Sequence, residues 1–251
     1  MLGLTHVFLG PSAHAQVKPV AGWSKVNNSS DACTSGVCTI SGGISSGNNL
    51  FHKLEKLEAG AGGGGDITKI EIDNNALTSI IVSNIGTSGS KIGVPFEALG
   101  SKADLILLSP YGIEISQGFS ANNINQLTLT TADKLNIGSS LFDVNNTTIE
   151  QAVNMNGVVN YDTLSDNIWR DDGEKEIRLT GNLSVDSDLL LVADDFAISD
   201  GITLQTSQSL EINGRTRLNN TTIKANSLRL IGNGTVTKPT SIVIDNSKLL
   251  L

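Results

Sequence analysis

The sequence predicts an all-β protein: a right-handed parallel β-helix with three strands per coil, an N-terminal cap and extra-helical loops or hairpins. Three observations carry that expectation. The first is composition: of 251 residues, 17% are charged and 4% aromatic, against 26 glycines and abundant Asn, Ser, Thr, Leu and Ile, a mixture suited to short strands joined by tight turns. The second is alternation, as in Ile70-Glu71-Ile72 and Leu127-Thr128-Leu129, the period of a strand with one buried face. The third is a repeat. Leu105-Ile106-Leu107 is followed after 22 residues by Leu127-Thr128-Leu129, and Leu189, Leu210, Leu228 and Leu249 open apolar triplets separated by 21, 18 and 21. Spacing near 20 residues marks a solenoid, and the 62 residues from Leu127 to Leu189 read as three further steps.

Each step holds further strand-like patches. Phe196-Ala197-Ile198 and Ile202-Thr203-Leu204 follow Leu189, Leu218 and Ile223 follow Leu210, and Val236 and Ile242-Val243-Ile244 follow Leu228. Asn213-Gly214, Asn219-Asn220 and Asn233-Gly234 supply corner residues that tolerate left-handed backbone. Asn-Gly also favours two-residue hairpins, so an antiparallel meander or sandwich is the alternative. Three regular patches per step argue for the coil.

Taken in order, residues 1–15 (MLGLTHVFLGPSAHA) join a short apolar stretch to Ala13-His14-Ala15, a small-x-small pattern suited to signal peptidase. No Lys or Arg precedes Lys18, so the stretch reads as a secretory signal remnant whose leader begins earlier; an ordinary first strand is the alternative. Residues 16–251 then form one β-helix domain: 16–60 a cap, 143–176 an excursion, 181–251 regular coils. Cys33 and Cys38 are the only cysteines. Under the export reading they close a small disulfide loop, contributing about 2 kcal/mol by chain entropy. Two cysteines without partner histidines do not make a structural zinc site, and neither a metal nor a cofactor is expected.

The run from Gly60 to Gly65, GAGGGG, lacks the Lys-Ser/Thr of a phosphate-binding loop and reads as a turn. From Phe51 to Glu58 the sequence reads as a strand with Phe51, Leu54 and Leu57 partly buried and solvated charges between them. The excursion contains the acidic cluster Asp171-Asp172-Gly173-Glu174, whose order is not that of a calcium loop. The chain reaches Leu249-Leu250-Leu251 inside an apolar strand motif. Natural solenoids cap such an end, so further coils are expected to follow. The net charge of −8 leaves no electrostatic footprint for nucleic acid or an anionic membrane.

Two motifs add a resemblance. GGISSGNNLFHKLEKLE, from Gly42 to Glu58 and preceded by Cys38-Thr39-Ile40-Ser41, resembles the start of the two-partner-secretion, or haemagglutination-activity, domain of filamentous-haemagglutinin-like exoproteins. ADLILLSPYGIEI, from Ala103 to Ile115, with NQLTLTTA from Asn125 to Ala132, resembles that domain's second motif region. The family's Asn-Pro-Asn-Gly stands here as Ser109-Pro110-Tyr111-Gly112, and its serine-aromatic pair as Lys53-Leu54. The residues carried over are Asn48, Asn49, Leu50, Phe51 and His52 from the first motif, and Pro110, Gly112 and Ile113 from the second.

The resemblance implies a non-enzymatic, N-terminal secretion-recognition domain of a large adhesin, secreted or held on the surface of a Gram-negative cell. It implies passage through the periplasm and recognition, while largely unfolded, by the periplasmic domains of a dedicated outer-membrane β-barrel transporter. The β-helix then templates its own winding, and a host-cell or surface glycan is the expected target, through a C-terminal part. Whether the motif residues serve recognition or only shape turns stays open. The competing function is a β-helical polysaccharide lyase or glycosidase, which needs paired carboxylates and basic residues on one face. Asp194-Asp195 and Asp171-Asp172 are not accompanied in sequence by such a set. An ice-binding solenoid is weaker still, because its threonines do not recur at coil spacing.

Overall fold

Leu105 lies beside Leu127, Leu127 beside Leu189, Leu189 beside Leu210 and Leu210 beside Leu228, so the leucine repeat is one position stacked in successive parallel strands. The computed structural model describes residues 15–60, 66–165, 175–232, 242–245 and 248–250. Residues 1–14, the acidic cluster Asp171-Asp172-Gly173-Glu174, Asn233-Gly234, Val236 and Leu251 lie outside them, as do most of the GAGGGG run.

Three parallel ladders form the body. Ladder one runs from the first half of Asn49–Ala59 through Ser79–Asn84, Ala103–Leu108, Ile124–Thr130, the first halves of Asp188–Ile198 and Ser209–Asn219, and Ser227–Ile231. Ladder two takes the second halves of the three long strands with Ser90–Ile92, Ile113–Ile115, Glu176–Leu179 and Ile242–Asp245. Ladder three stacks Asp66–Asp73, Pro95–Leu99, Ser120–Asn122, Leu183–Val185, Thr203–Thr206, Thr222–Lys224 and Lys248–Leu250. The chain visits one, two and three in turn, then returns one strand higher. This is the geometry in which each turn needs only its neighbour to bury its apolar side.

Alternation sets what faces inward. Leu54, Ile80, Val82, Leu105, Leu107, Leu127, Leu129, Leu189 and Leu191 share one continuous core with Ile70, Ile72, Ile113, Ile115, Leu183 and Leu204 from the other two ladders. Each such side chain contributes about 2 kcal/mol by leaving water. The near end is closed by antiparallel strands: Gln16–Pro19 and Ile44–Ser46 on Asn49–Ala59, and Ser24–Val26 on Ser35–Gly42. A disulfide joins Cys33 to Cys38.

Several expectations require correction. The 62-residue gap is a single coil step, because Leu127 pairs directly with Leu189. The chain leaves ladder one after Thr130 and rejoins the coil at Glu176, so the excursion opens ahead of Asp143. Its first strand, Lys134–Ile137, pairs antiparallel with Ser140–Asp143 and with Val159–Asn160. Leu249 stacks on Ile223 in ladder three rather than on Leu228. Asn213-Gly214 is not a turn between strands but a bend inside Ser209–Asn219. Gly214 sits at φ +151°, and a Cβ there would lie 2.1 Å from the Ala193 carbonyl oxygen, so the strand can fold over the corner only with glycine.

The excursion lies over the outer side of ladder one. Phe51, Ile81, Ile106, Leu108 and Val192 point outward and pack with Leu135, Ile137, Phe142, Val144, Ala152 and Met155 into a second apolar core that also takes Trp23 of the cap. Within the excursion, Thr148 and Gln151 form a capping box at the start of the short helix Ile149–Ala152. The solvated charges expected in the Phe51–Glu58 segment are found only at Glu55 and Lys56, whose side chains are 40% and 27% exposed, and not at His52, Lys53 and Glu58, which are 0%, 4% and 5% exposed.

Candidate functional site

The first motif is the strand on which everything at the near end converges. Ile44–Ser46 pairs back on it with Ser46 opposite Asn49, so Gly47 and Asn48 form a two-residue turn, with Gly47 at φ +57°. Asn48 is exposed, and its carbonyl accepts from Ser79 N–H at 3.1 Å, a first rung between coils. Asn49 is buried, and its Nδ2 donates to the carbonyls of Met155 at 3.1 Å and Gly157 at 2.8 Å. Ser46 Oγ adds a bond to the Val153 carbonyl at 2.8 Å. Sequence neighbours of the motif thus fasten an excursion more than a hundred residues away.

The next four residues alternate. Leu50 pairs with Ile80 and faces Gly43 of the cap, while Phe51 points outward and stacks on Phe142 with ring centroids 5.1 Å apart. His52 points inward, pairing with Val82; its Nδ1 lies 3.1 Å from Ser24 Oγ and its Nε2 has no partner. Burial pulls this imidazole down to about 4, with Asp73 opposing. Lys53 points outward. Its Nζ donates to the Thr147 carbonyl at 2.8 Å and lies 4.2 Å from the Trp23 ring centroid and 5.5 Å from that of Phe142. Burial lowers its pKa to about 8, with Asp143 opposing, so the ammonium is still charged at pH 7 and is held by the aromatic faces.

The turn of the second motif follows Ala103–Leu108, the third strand of ladder one, at the corner into ladder two. Pro110 is buried, and Gly112, at φ +108°, donates its N–H to the Ser109 carbonyl at 3.0 Å. Hydrogen bonds climb this corner: Asn84 Nδ2 to Ser90 Oγ at 2.9 Å, Ser90 Oγ to Ser109 Oγ at 3.0 Å, and Ser109 Oγ to the Gly112 carbonyl at 2.8 Å. Ile113 follows immediately and enters the interior core. The turns of the two motifs are not brought together: Gly47-Asn48 precedes the first ladder-one strand, and Ser109-Pro110-Tyr111-Gly112 follows the third.

Sequence reasoning missed three assemblies. The Lys53–Trp23–Phe142 cluster joins cap, coil and excursion, and its only signal was the rarity of aromatics. The Asn84–Ser90–Ser109 chain was hidden because Ser and Asn are common here. The third is a basic partner for Asp194-Asp195, beside which the sequence shows no set of basic residues: Arg215, one coil on, places Nη2 3.6 Å from Asp194 Oδ2 and 3.4 Å from Asp195 Oδ2. Coil stacking, not sequence proximity, makes that group. Among the described residues, no three His, Cys, Asp or Glu side chains gather where they could hold a metal ion, and no helix is long and apolar enough to cross a membrane.

No family model and no curated protein matches the sequence. Among solved structures, the crystal structure of filamentous hemagglutinin secretion domain superposes on 93% of this chain and 99% of its own length, at 13% identity and a TM-score of 0.41. That level supports no transfer of function.

Proposed function

We propose that the chain is an N-terminal secretion-recognition domain of a larger surface-exposed or secreted adhesin, exported through a dedicated outer-membrane β-barrel transporter, and that its first coil nucleates a right-handed β-helix. The observation that carries this reading is the position of the first motif. Asn49–Ala59 pairs antiparallel with Gln16–Pro19 and Ile44–Ser46, and parallel with Ser79–Asn84 and Ser90–Ile92. With Ser35–Gly42, which pairs antiparallel with Ser24–Val26 and parallel with Asp66–Asp73, it converts the antiparallel cap into the parallel coil. A chain emerging N-terminus first would complete this strand early, and each later coil would have a template. Once folded, both edges of Asn49–Ala59 are paired and Asn49, Leu50, Phe51 and Pro110 are buried. A transporter that reads Asn48, Asn49, Leu50 and Phe51, or Pro110, Gly112 and Ile113, would therefore do so on the unfolded chain, by strand addition.

Export tests the reading directly. The 251-residue chain, fitted with a complete leader, is expressed in a Gram-negative host with and without the transporter encoded beside its gene. Folded, protease-resistant β protein in the medium only when the transporter is present is the expected result; equal release in both strains, or retention in both, sinks it. The second reading, a β-helical polysaccharide lyase or glycosidase, draws on the contact of Arg215 with Asp194 and Asp195. Release of new reducing ends from polysaccharide by the purified chain would support it.

A further inference from the structure

Asn156, Asn213 and Asn233 each precede a glycine, and the first two stand in opposite surroundings; the third lies outside the described residues. Asn213-Gly214 is inside Ser209–Asn219, with Asn213 paired to Val192 on one side and to Ile231 on the other and Gly214 buried. Asn156-Gly157 belongs to the excursion, between the helix Ile149–Ala152 and the strand Val159–Asn160. Asn156 is exposed, and among the described residues none accepts a hydrogen bond from the Gly157 N–H.

Glycine is required at 157. A Cβ there would lie 2.4 Å from Gly138 Cα and 2.5 Å from its N, so no bulkier residue fits to shield the amide that follows Asn156. The pair also touches the first motif. Asn49 Nδ2 bonds the carbonyls on either side of Asn156, that of Met155 at 3.1 Å and that of Gly157 at 2.8 Å, and a Cβ on Gly47 would come within 3.1 Å of Asn156 Cβ. An exposed side-chain amide, an unbonded backbone N–H next to it and a glycine that offers no steric bar are what an asparagine needs to cyclise on its own backbone.

We propose that Asn156 is a site of spontaneous deamidation, and that its conversion releases the excursion from the first motif as the folded protein ages. The Gly157 nitrogen gives its proton to solvent and attacks Asn156 Cγ. The new C–N bond closes a succinimide, and the side-chain nitrogen leaves as ammonia. Water then opens the ring at one carbonyl or the other, giving aspartate or isoaspartate with no change of oxidation state. Isoaspartate routes the backbone through the side-chain methylene, so the Met155 and Gly157 carbonyls stand one carbon further apart and Asn49 no longer bridges both. The same two bonds protect the site. While they hold, the Gly157 nitrogen is kept from swinging onto Cγ, and the reaction draws on the locally opened loop. The inference stands apart from the export reading, because it needs only the folded chain.

The test holds the purified full chain in mildly alkaline buffer, follows its peptides by mass spectrometry and scores isoaspartate by labelling with a protein isoaspartate methyltransferase. Asn156 is expected to convert about tenfold or more faster than Asn213, which reacts only when the stacked coil opens. Asn49→Ala removes both bonds across the loop and is expected to raise the rate at Asn156 about 5–30-fold. Amide exchange around residues 153–157 should quicken in step with conversion in the wild type. In Asn156→Gln, where the longer side chain closes its ring far more slowly, both conversion and the quickening should be lost. Conversion at Asn156 no faster than at Asn213, a rate unchanged in Asn49→Ala when circular dichroism reports a native fold, or exchange that stays slow in fully converted protein, each overturns the proposal.

Discussion

Inside the coil, Val82, Leu107, Leu129, Leu191 and Ile212 hold one position through five successive turns, whereas one residue earlier, on the outside of the same strands, Phe51, Ile81 and Ile106 give way to Thr128, Leu190 and Glu211. The interior repeats because every coil meets the same surroundings. The exterior changes because the excursion covers only the first coils, and there it demands apolar and aromatic partners. One side of a strand is thus governed by its neighbours in the stack and the other by a segment far along the chain. The interior should fail by degrees and the exterior as a unit.

Phe142→Ala tests that contrast most strongly. Removing a ring that stacks on Phe51 and meets Trp23 edge-on with centroids 6.4 Å apart should cost about 3–5 kcal/mol. Near-UV circular dichroism should lose its tryptophan signal at a lower urea concentration than the far-UV β signal. Leu107→Ala, in the interior, should lower both transitions together, and a coincident loss in Phe142→Ala would remove the distinction between the two cores.

Acidification probes the closed end. The fold accepts His52 neutral, with a pKa near 4, while the unfolded chain protonates it near 6.5. The unfolded state therefore binds the extra proton between those values. Stability is complete above pH 6.5 and falls as pH drops toward 4, by about 2–3 kcal/mol at pH 4.5. Comparing urea midpoints at pH 7 and pH 4.5 in wild type and His52→Leu should show a smaller pH effect in the variant. An equal pH effect in both proteins would place the acid sensitivity elsewhere.

The smallest effect is expected at the motif itself. Asn49→Ala removes two hydrogen bonds and leaves the Met155 and Gly157 carbonyls without them, a loss of about 1–2 kcal/mol that should appear as faster amide exchange in the excursion around residues 153–157 and not in ladder three. If export slows far more in this variant than in another that loosens the excursion equally, Asn49 serves recognition as well as structure.

Period-two alternation and the spacings from Leu105 to Leu127 and from Leu189 to Leu228 were enough to read the three-stranded coil, because those residues answer to a repeating neighbour. The excursion's extent was not legible. Leu135, Ile137 and Phe142 alternate like any strand, and nothing local says that they pair antiparallel and lie outside the coil. Leu249 misled for a related reason, since its spacing of 21 from Leu228 matches a coil step although it belongs to another ladder. Asn49 was legible as a motif position but its bonds were not, because its partners are backbone carbonyls more than a hundred residues on.

The single step of 62 residues between Leu127 and Leu189 also sets a rhythm for folding. The other ladder-one steps counted from the repeat close loops of about 20 residues, and tripling that length adds about 1 kcal/mol of closure entropy. Winding from the N-terminus should therefore run quickly through three coils and one further strand, then pause. During the pause the excursion can fold back over Phe51, Ile81 and Ile106 before Glu176–Leu179 resumes the coil. Once docked, it would make unwinding of the first coils slow, so the interval that delays the forward process also makes it hard to reverse.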